Sequence, residues 1–187
     1  MNAAVEKLIE EMEQNVARAD AITRGMDDRQ FNWRAEPAKW SVAQCLTHLC
    51  MINEIDFPHL DRAIALAKEK GWKGPGPYDY GFLTRWFIST IEPPVKRRFP
   101  APKGYAPPPA DVRMPATLRR YREVTEGMIA RLMSADGLDL AKARTVLPAL
   151  PMLKMPLGGR FKLMTSHDRR HLWQAEQVMK HPSFPKT

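Results

Sequence analysis

Ten of the chain's 17 prolines and five of its ten glycines fall within residues 71–115. No long helix or strand survives such a density of residues that lack a backbone donor or a Cβ. The stretch therefore splits the chain into two helical halves joined by one very long crossover. In the first half, Val5, Leu8, Met12, Val16, Ala19 and Ile22 recur at three- and four-residue steps with Glu and Lys between them, which predicts an amphipathic helix. Ser41 can cap a second helix carrying Leu46, Leu49, Ile52 and Ile55. Pro58 is predicted to kink or break it, with the pattern resuming through Leu60, Ile64 and Leu66 and stopping at Gly71. In the second half, Leu118, Tyr121, Val124, Met128 and Leu132 predict a third helix that begins near Pro115 and ends around Asp136-Gly137. An irregular stretch over 138–160 holds Pro148, Pro151, Pro156 and Gly158-Gly159, and a last helix is predicted over 161–180. Inside the crossover, Phe82, Leu83, Trp86, Phe87, Ile88 and Ile91 are enough for a short helix ended by Pro93-Pro94. Strand-like alternation is nearly absent. The expected architecture is all-α, a single domain over 1–187 built as a four-helix bundle with a long Pro-rich crossover between helices 2 and 3.

No run of 18 apolar residues exists, and the acidic, amphipathic start has neither the basic n-region nor the apolar h-region of a secretory signal, so no membrane span is expected. Cys45 and Cys50 stand five apart on one predicted helix, about 140° apart around its axis, and cannot bridge each other. Two unpaired thiols fit a reducing, cytoplasmic setting. The net charge of +8 is concentrated, because nine bases against Glu92 and Asp111 give residues 85–122 a charge of +7. Such a segment can attract nucleic acid, an anionic substrate or an acidic partner, or can be a solvated loop. The run Lys96-Arg97-Arg98-Phe99 with Tyr105 offers charge and stacking capacity, but no zinc finger, RNA-recognition strand motif or clear helix-turn-helix accompanies it.

His167 and His171 are four residues apart, so both imidazoles can project from one face of the last helix and chelate one ion. They lie beside Leu163, Met164 and Val178 on the predicted core side, where an unpaired polar ring is costly. His48 shares the interior side of the second helix with Leu49, Ile52 and Ile55. Three histidines converging from two helices can supply a facial set of neutral nitrogen ligands with open positions for water or substrate. The competing reading is three core histidines bonded to backbone or carboxylates. Zinc, nickel, iron or copper would suit three imidazoles.

The run Trp40-Ser41-x-x-Gln44-x-Leu46-x-His48-Leu49, followed far downstream by His167-x-x-Arg170-His171-Leu172-x-Gln174 and preceded at the last helix by Leu157-Gly158-Gly159, resembles the DinB-like (DinB/YfiT) family of small four-helix bundles. The resemblance spans essentially the whole chain in helix order and is weakest over 71–114. It implies an up-down-down-up bundle whose crossover joins two parallel middle helices. It also implies a divalent metal held by His48 of the second helix and His167 and His171 of the fourth. Similar proteins are described as metal-dependent hydrolases or thiol-dependent S-transferases, and many are homodimers. The implied function is a metal-dependent enzyme activating water or a low-molecular-weight thiol against a small-molecule substrate. The alternative is a non-enzymatic protein whose basic segment binds nucleic acid or an acidic partner. Among other residues, Trp40 is expected to pack over the start of the second helix and Gln174 to support the site or the core. Cys45, Asp168 and Glu54 are weaker candidates, with Asp168 expected in a surface salt bridge. His59, His181 and the eleven methionines are expected to be structural.

Overall fold

The computed structural model describes residues 1–95, 104–107 and 111–186. The protein is mostly helical, in the order α1 (Ala3–Thr23), α2 (Asp28–Asn32), α3 (Val42–Glu69), α4 (Phe82–Ile91), α5 (Met114–Ser134), β1 (Arg144–Leu147), β2 (Leu150–Pro156) and α6 (Leu157–Met179). The long helices α1 and α3 each pack against both α5 and α6. Their shared interior forms two apolar clusters. One joins Val5, Leu8 and Met12 of α1 to Leu60 and Ile64 of α3, Leu132 of α5 and Phe161 of α6. The other joins Ala19 and Ile22 of α1 to Leu46 and Leu49 of α3, Tyr121 of α5 and Leu172 of α6.

Pro58 lies inside α3 and does not end it. The proline removes one backbone bond and crowds the preceding turn, a cost of about 3 kcal/mol. Burial of Leu60, Ala63, Ile64 and Ala67 beyond it offsets that cost, since a fully buried aliphatic side chain contributes about 1.5–3 kcal/mol. The irregular stretch before α6 departs from the expected all-α character, because β1 and β2 pair there as an antiparallel hairpin with Thr145 opposite Met155. Thr145 and Met155 are buried, while residues 150–154 are exposed, so the hairpin shows little inward alternation.

Helix α6 also starts earlier than expected, at Leu157. Gly158 and Gly159 belong to it because of close approach. A Cβ on Gly158 would run into the Tyr80 ring, and one on Gly159 would meet Thr84 Cγ2 at 2.8 Å. These glycines let the crossover and α4 lie directly on α6. The buried pair Asp56–Arg160 ties α3 to the same turn of α6, with guanidinium-to-carboxylate distances of 3.2 and 2.5 Å.

Candidate metal centre

The geometry begins at the start of α3. Ser41 Oγ accepts from the Gln44 backbone N–H at 3.0 Å while Gln44 Oε1 accepts from the Ser41 N–H at 3.1 Å, a reciprocal cap. With the first turn fixed, His48 faces inward between Leu46 and Leu49 and is buried. Its Nδ1 lies 2.8 Å from the Tyr105 carbonyl. A carbonyl only accepts, so Nδ1 carries the proton and the Nε2 lone pair is left free.

That lone pair meets the two histidines of α6. His48 Nε2 is 3.4 Å from His167 Nε2, and His171 Nε2 is 3.2 Å from the same atom. All three nitrogens lie within 4.8 Å of one another. Nitrogens bound about 2.05 Å from a tetrahedral ion sit about 3.3 Å apart, so the spacing fits a shared cation. His48 and His171 are buried and His167 is partly exposed. Trp40 walls the two buried rings, stacked on His171 at 5.3 Å between ring centroids and tilted against His48 at 4.9 Å.

Electrostatics keep the rings neutral. Burial pushes His48 down to about 4, opposed by its bond to the Tyr105 carbonyl. Burial also holds His167 well below the ordinary imidazole value, with the charges of His48, Arg160 and Arg170 acting the same way. His171 is held down by burial, then by His167, His48 and Arg170. Three neutral imidazoles with converging lone pairs are the form a cation requires. Nδ1 of His167 and Nδ1 of His171 are both buried with no hydrogen-bond partner among the described residues.

The other candidates lie elsewhere. Cys45 and Cys50 are buried free thiols outside the cluster, and burial pushes Cys50 up to about 12. Glu54 is ion-paired with Arg120. Asp168 is not a surface salt-bridge residue, since it is buried and accepts from Tyr121 Oη at 2.9 Å and from Asn53 Nδ2 at 3.4 Å. Burial pushes it up to about 7 against those two hydrogen bonds. The His59 carbonyl accepts from Thr145, and His181 packs on Trp33. Met12, Met128 and Met164 are core residues as expected, whereas Met152 is 96% exposed. Of the basic segment, Arg85, Arg113, Arg120 and Arg122 pair with Asp79, Asp28, Glu54 and Asp20. Lys96, Arg97, Arg98, Phe99 and Lys103 lie outside the described residues. Sequence reasoning missed Tyr105, whose contribution is a backbone carbonyl that any residue type could supply.

The sequence model of the DinB superfamily matches residues 11–175, a span that includes all three histidines, Trp40 and Tyr105. The chain belongs to the DinB superfamily. No curated protein and no solved structure matches it. Superfamily membership and the three-histidine cluster together are compatible with a metal-binding site. Among the described residues of this DinB-superfamily chain, no helix is long and apolar enough to cross a membrane.

Proposed function

We propose that this DinB-superfamily chain is a metal-dependent enzyme in which His48, His167 and His171 hold a divalent transition metal, of the hydrolase or thiol S-transferase type. The observation that carries the reading is the spacing of the three Nε2 atoms, 3.2 and 3.4 Å from His167, with the His48 tautomer set by Tyr105. Purely structural core histidines would each find a separate hydrogen-bond acceptor or donor. Here one Nε2 faces two others, and a single proton on it could serve only one neighbour. Zinc, nickel or iron suits an all-imidazole set.

A divalent ion with three neutral ligands keeps its full charge and lowers the pKa of a coordinated water or low-molecular-weight thiol toward neutrality. The protein's own groups prepare the place. The Tyr105 carbonyl holds the proton on Nδ1 of His48 and Trp40 fixes the His171 ring plane, and the proposed small-molecule substrate would sit beside His167, the partly exposed member of the three. The proposed frame is one domain, an up-down-down-up four-helix bundle acting as a cytoplasmic homodimer. The bundle order is supported by the two apolar clusters. One gathers the early residues of α1 and α6 with the late residues of α3 and α5, and the other gathers the opposite ends.

Elemental analysis of untagged protein tests the reading. Wild type is expected to carry near-stoichiometric divalent metal that the folded His48→Ala/His167→Ala/His171→Ala variant lacks. Wild type that neither carries nor takes up zinc, nickel, iron or manganese would overturn it.

A further inference from the structure

A polar layer to which all four long helices contribute separates the two apolar clusters of the interior. Asn15 lies between Met12 and Ala19 of α1, and Asn53 between Cys50 and Leu60 of α3. Thr125 lies between Val124 and Met128 of α5, and Thr165 and Asp168 between Met164 and Leu172 of α6. All five are at most 6% exposed. Their side-chain donors are engaged. Asn15 Nδ2 donates to the Thr165 carbonyl at 3.1 Å, and the Thr125 and Thr165 hydroxyls donate to the carbonyls of Tyr121 and Phe161 at 2.8 and 2.9 Å. Asn53 Nδ2 donates to Asp168 at 3.4 Å. Asn53 Oδ1, by contrast, is buried with no hydrogen-bond partner among the described residues, and a buried acceptor left unpaired is costly. Asn53 lines a cavity of about 10 Å³ together with Thr125, Thr165, Asp168 and three methionines.

We propose that this cavity is a binding site for one structural water molecule, which donates to Asn53 Oδ1 and completes the polar layer. The space suits a single guest of that size, since one water needs about 10–15 Å³ of such room and at least two polar partners. The chemistry of the lining selects the same guest. Both threonine protons are spent on their own helices, so Thr125 Oγ1 and Thr165 Oγ1 can only accept, as can Asn53 Oδ1. A set made of acceptors calls for a guest with two protons to give. Water gives one to Asn53 Oδ1 and the other to a threonine oxygen or to the Asp168 carboxylate. A cation is the other guest that acceptors suit, but calcium and magnesium take about six or more oxygens, and the methionine wall leaves too few. The water's presence does not depend on a metal at the histidines.

Oxygen-17 magnetic relaxation dispersion of the full chain, which counts water molecules held longer than the protein takes to tumble, tests this. Wild type is expected to hold one more such water than Asn53→Leu, a substitution that removes the unpaired oxygen at nearly constant size. An equal count in the two folded proteins overturns the proposal. Crystals of wild type decide the matter without requiring any variant to fold. A density peak about 2.8 Å from Asn53 Oδ1 is expected. A cavity without density overturns the water, and a peak about 2.3–2.6 Å from several oxygens overturns it in favour of a cation.

Discussion

The backbone carbonyl of Tyr105 lies 2.8 Å from Nδ1 of His48 and fixes which ring nitrogen of that histidine offers a lone pair to the cluster. The contact comes from the Pro-rich crossover and reaches a residue 57 positions earlier in the chain. Gly104, just before it, has φ +85° and open space where a Cβ would sit, so a side chain there meets only backbone strain. Gly104→Val is therefore expected to displace the carbonyl without disturbing the core. Partners that orient a ligating histidine are worth about 10–100-fold in metal affinity. Zinc affinity measured by competition with a chelator should fall by that factor while the thermal midpoint moves little. Unchanged affinity would remove Tyr105 from the site.

Tyr121 and Asp168 make a different case, in which a polar contact beside His167 is structural. Tyr121→Phe deletes the hydroxyl that donates to Asp168 and leaves a buried carboxyl short of a partner. A buried group left unsatisfied costs about 1–3 kcal/mol. Urea unfolding should show that loss with metal content unchanged. A loss of metal in a variant of normal stability would instead draw Asp168 into the site.

The clustering of His48, His167 and His171 was legible because a four-residue histidine spacing on an apolar helix face, with a third histidine among leucines, is a pattern of side-chain identities. Tyr105 was not, since a carbonyl has no identity in a sequence. Asp168 was misjudged for a related reason. Its angular distance from His167 says that it leaves the cluster but not that Tyr121 of α5 lies where it points. The glycines in the first turn of α6 look like helix breakers until Tyr80 and Thr84 are seen against them. The hairpin was hidden because Pro148 and Pro151 sit in it and residues 150–154 are exposed, so the alternation that betrays a half-buried strand never develops. Pro58 was overrated because its local cost is visible in sequence while the packing that offsets it is not.

Glu11 and Glu92 bracket Arg169, and Lys162 also reaches Glu11. Burial alone would raise both carboxyls, but hydrogen bonds and charge from Lys162 and Arg169 at Glu11, and from Arg169 with Ser166 and Lys162 at Glu92, hold both below the ordinary glutamate value. A carboxyl lowered by folding stabilises the native state above its unfolded pKa, and that contribution is lost as pH falls through the folded pKa. The thermal midpoint of wild type is therefore expected to drop on acidification below the ordinary glutamate range. Glu11→Gln/Glu92→Gln should start lower at pH 7 and fall less steeply. Parallel wild-type and variant curves would show that these pairs do not set the acid limb.

Asp56 and Arg160 form the most deeply buried ion pair among the described residues, with side chains 1% and 9% exposed. Burial raises the Asp56 carboxyl, and the charge and hydrogen bonds of Arg160 work against that shift. In such a pair the desolvation cost of two ions competes with their attraction, so removing one partner is far worse than removing both. Asp56→Leu alone strands a guanidinium in the interior and is expected to cost about 3–5 kcal/mol. Asp56→Leu/Arg160→Met replaces both with apolar side chains of similar size and is expected to regain most of that loss. A double variant no more stable than Asp56→Leu would show that the pair is held by geometry that apolar groups cannot replace.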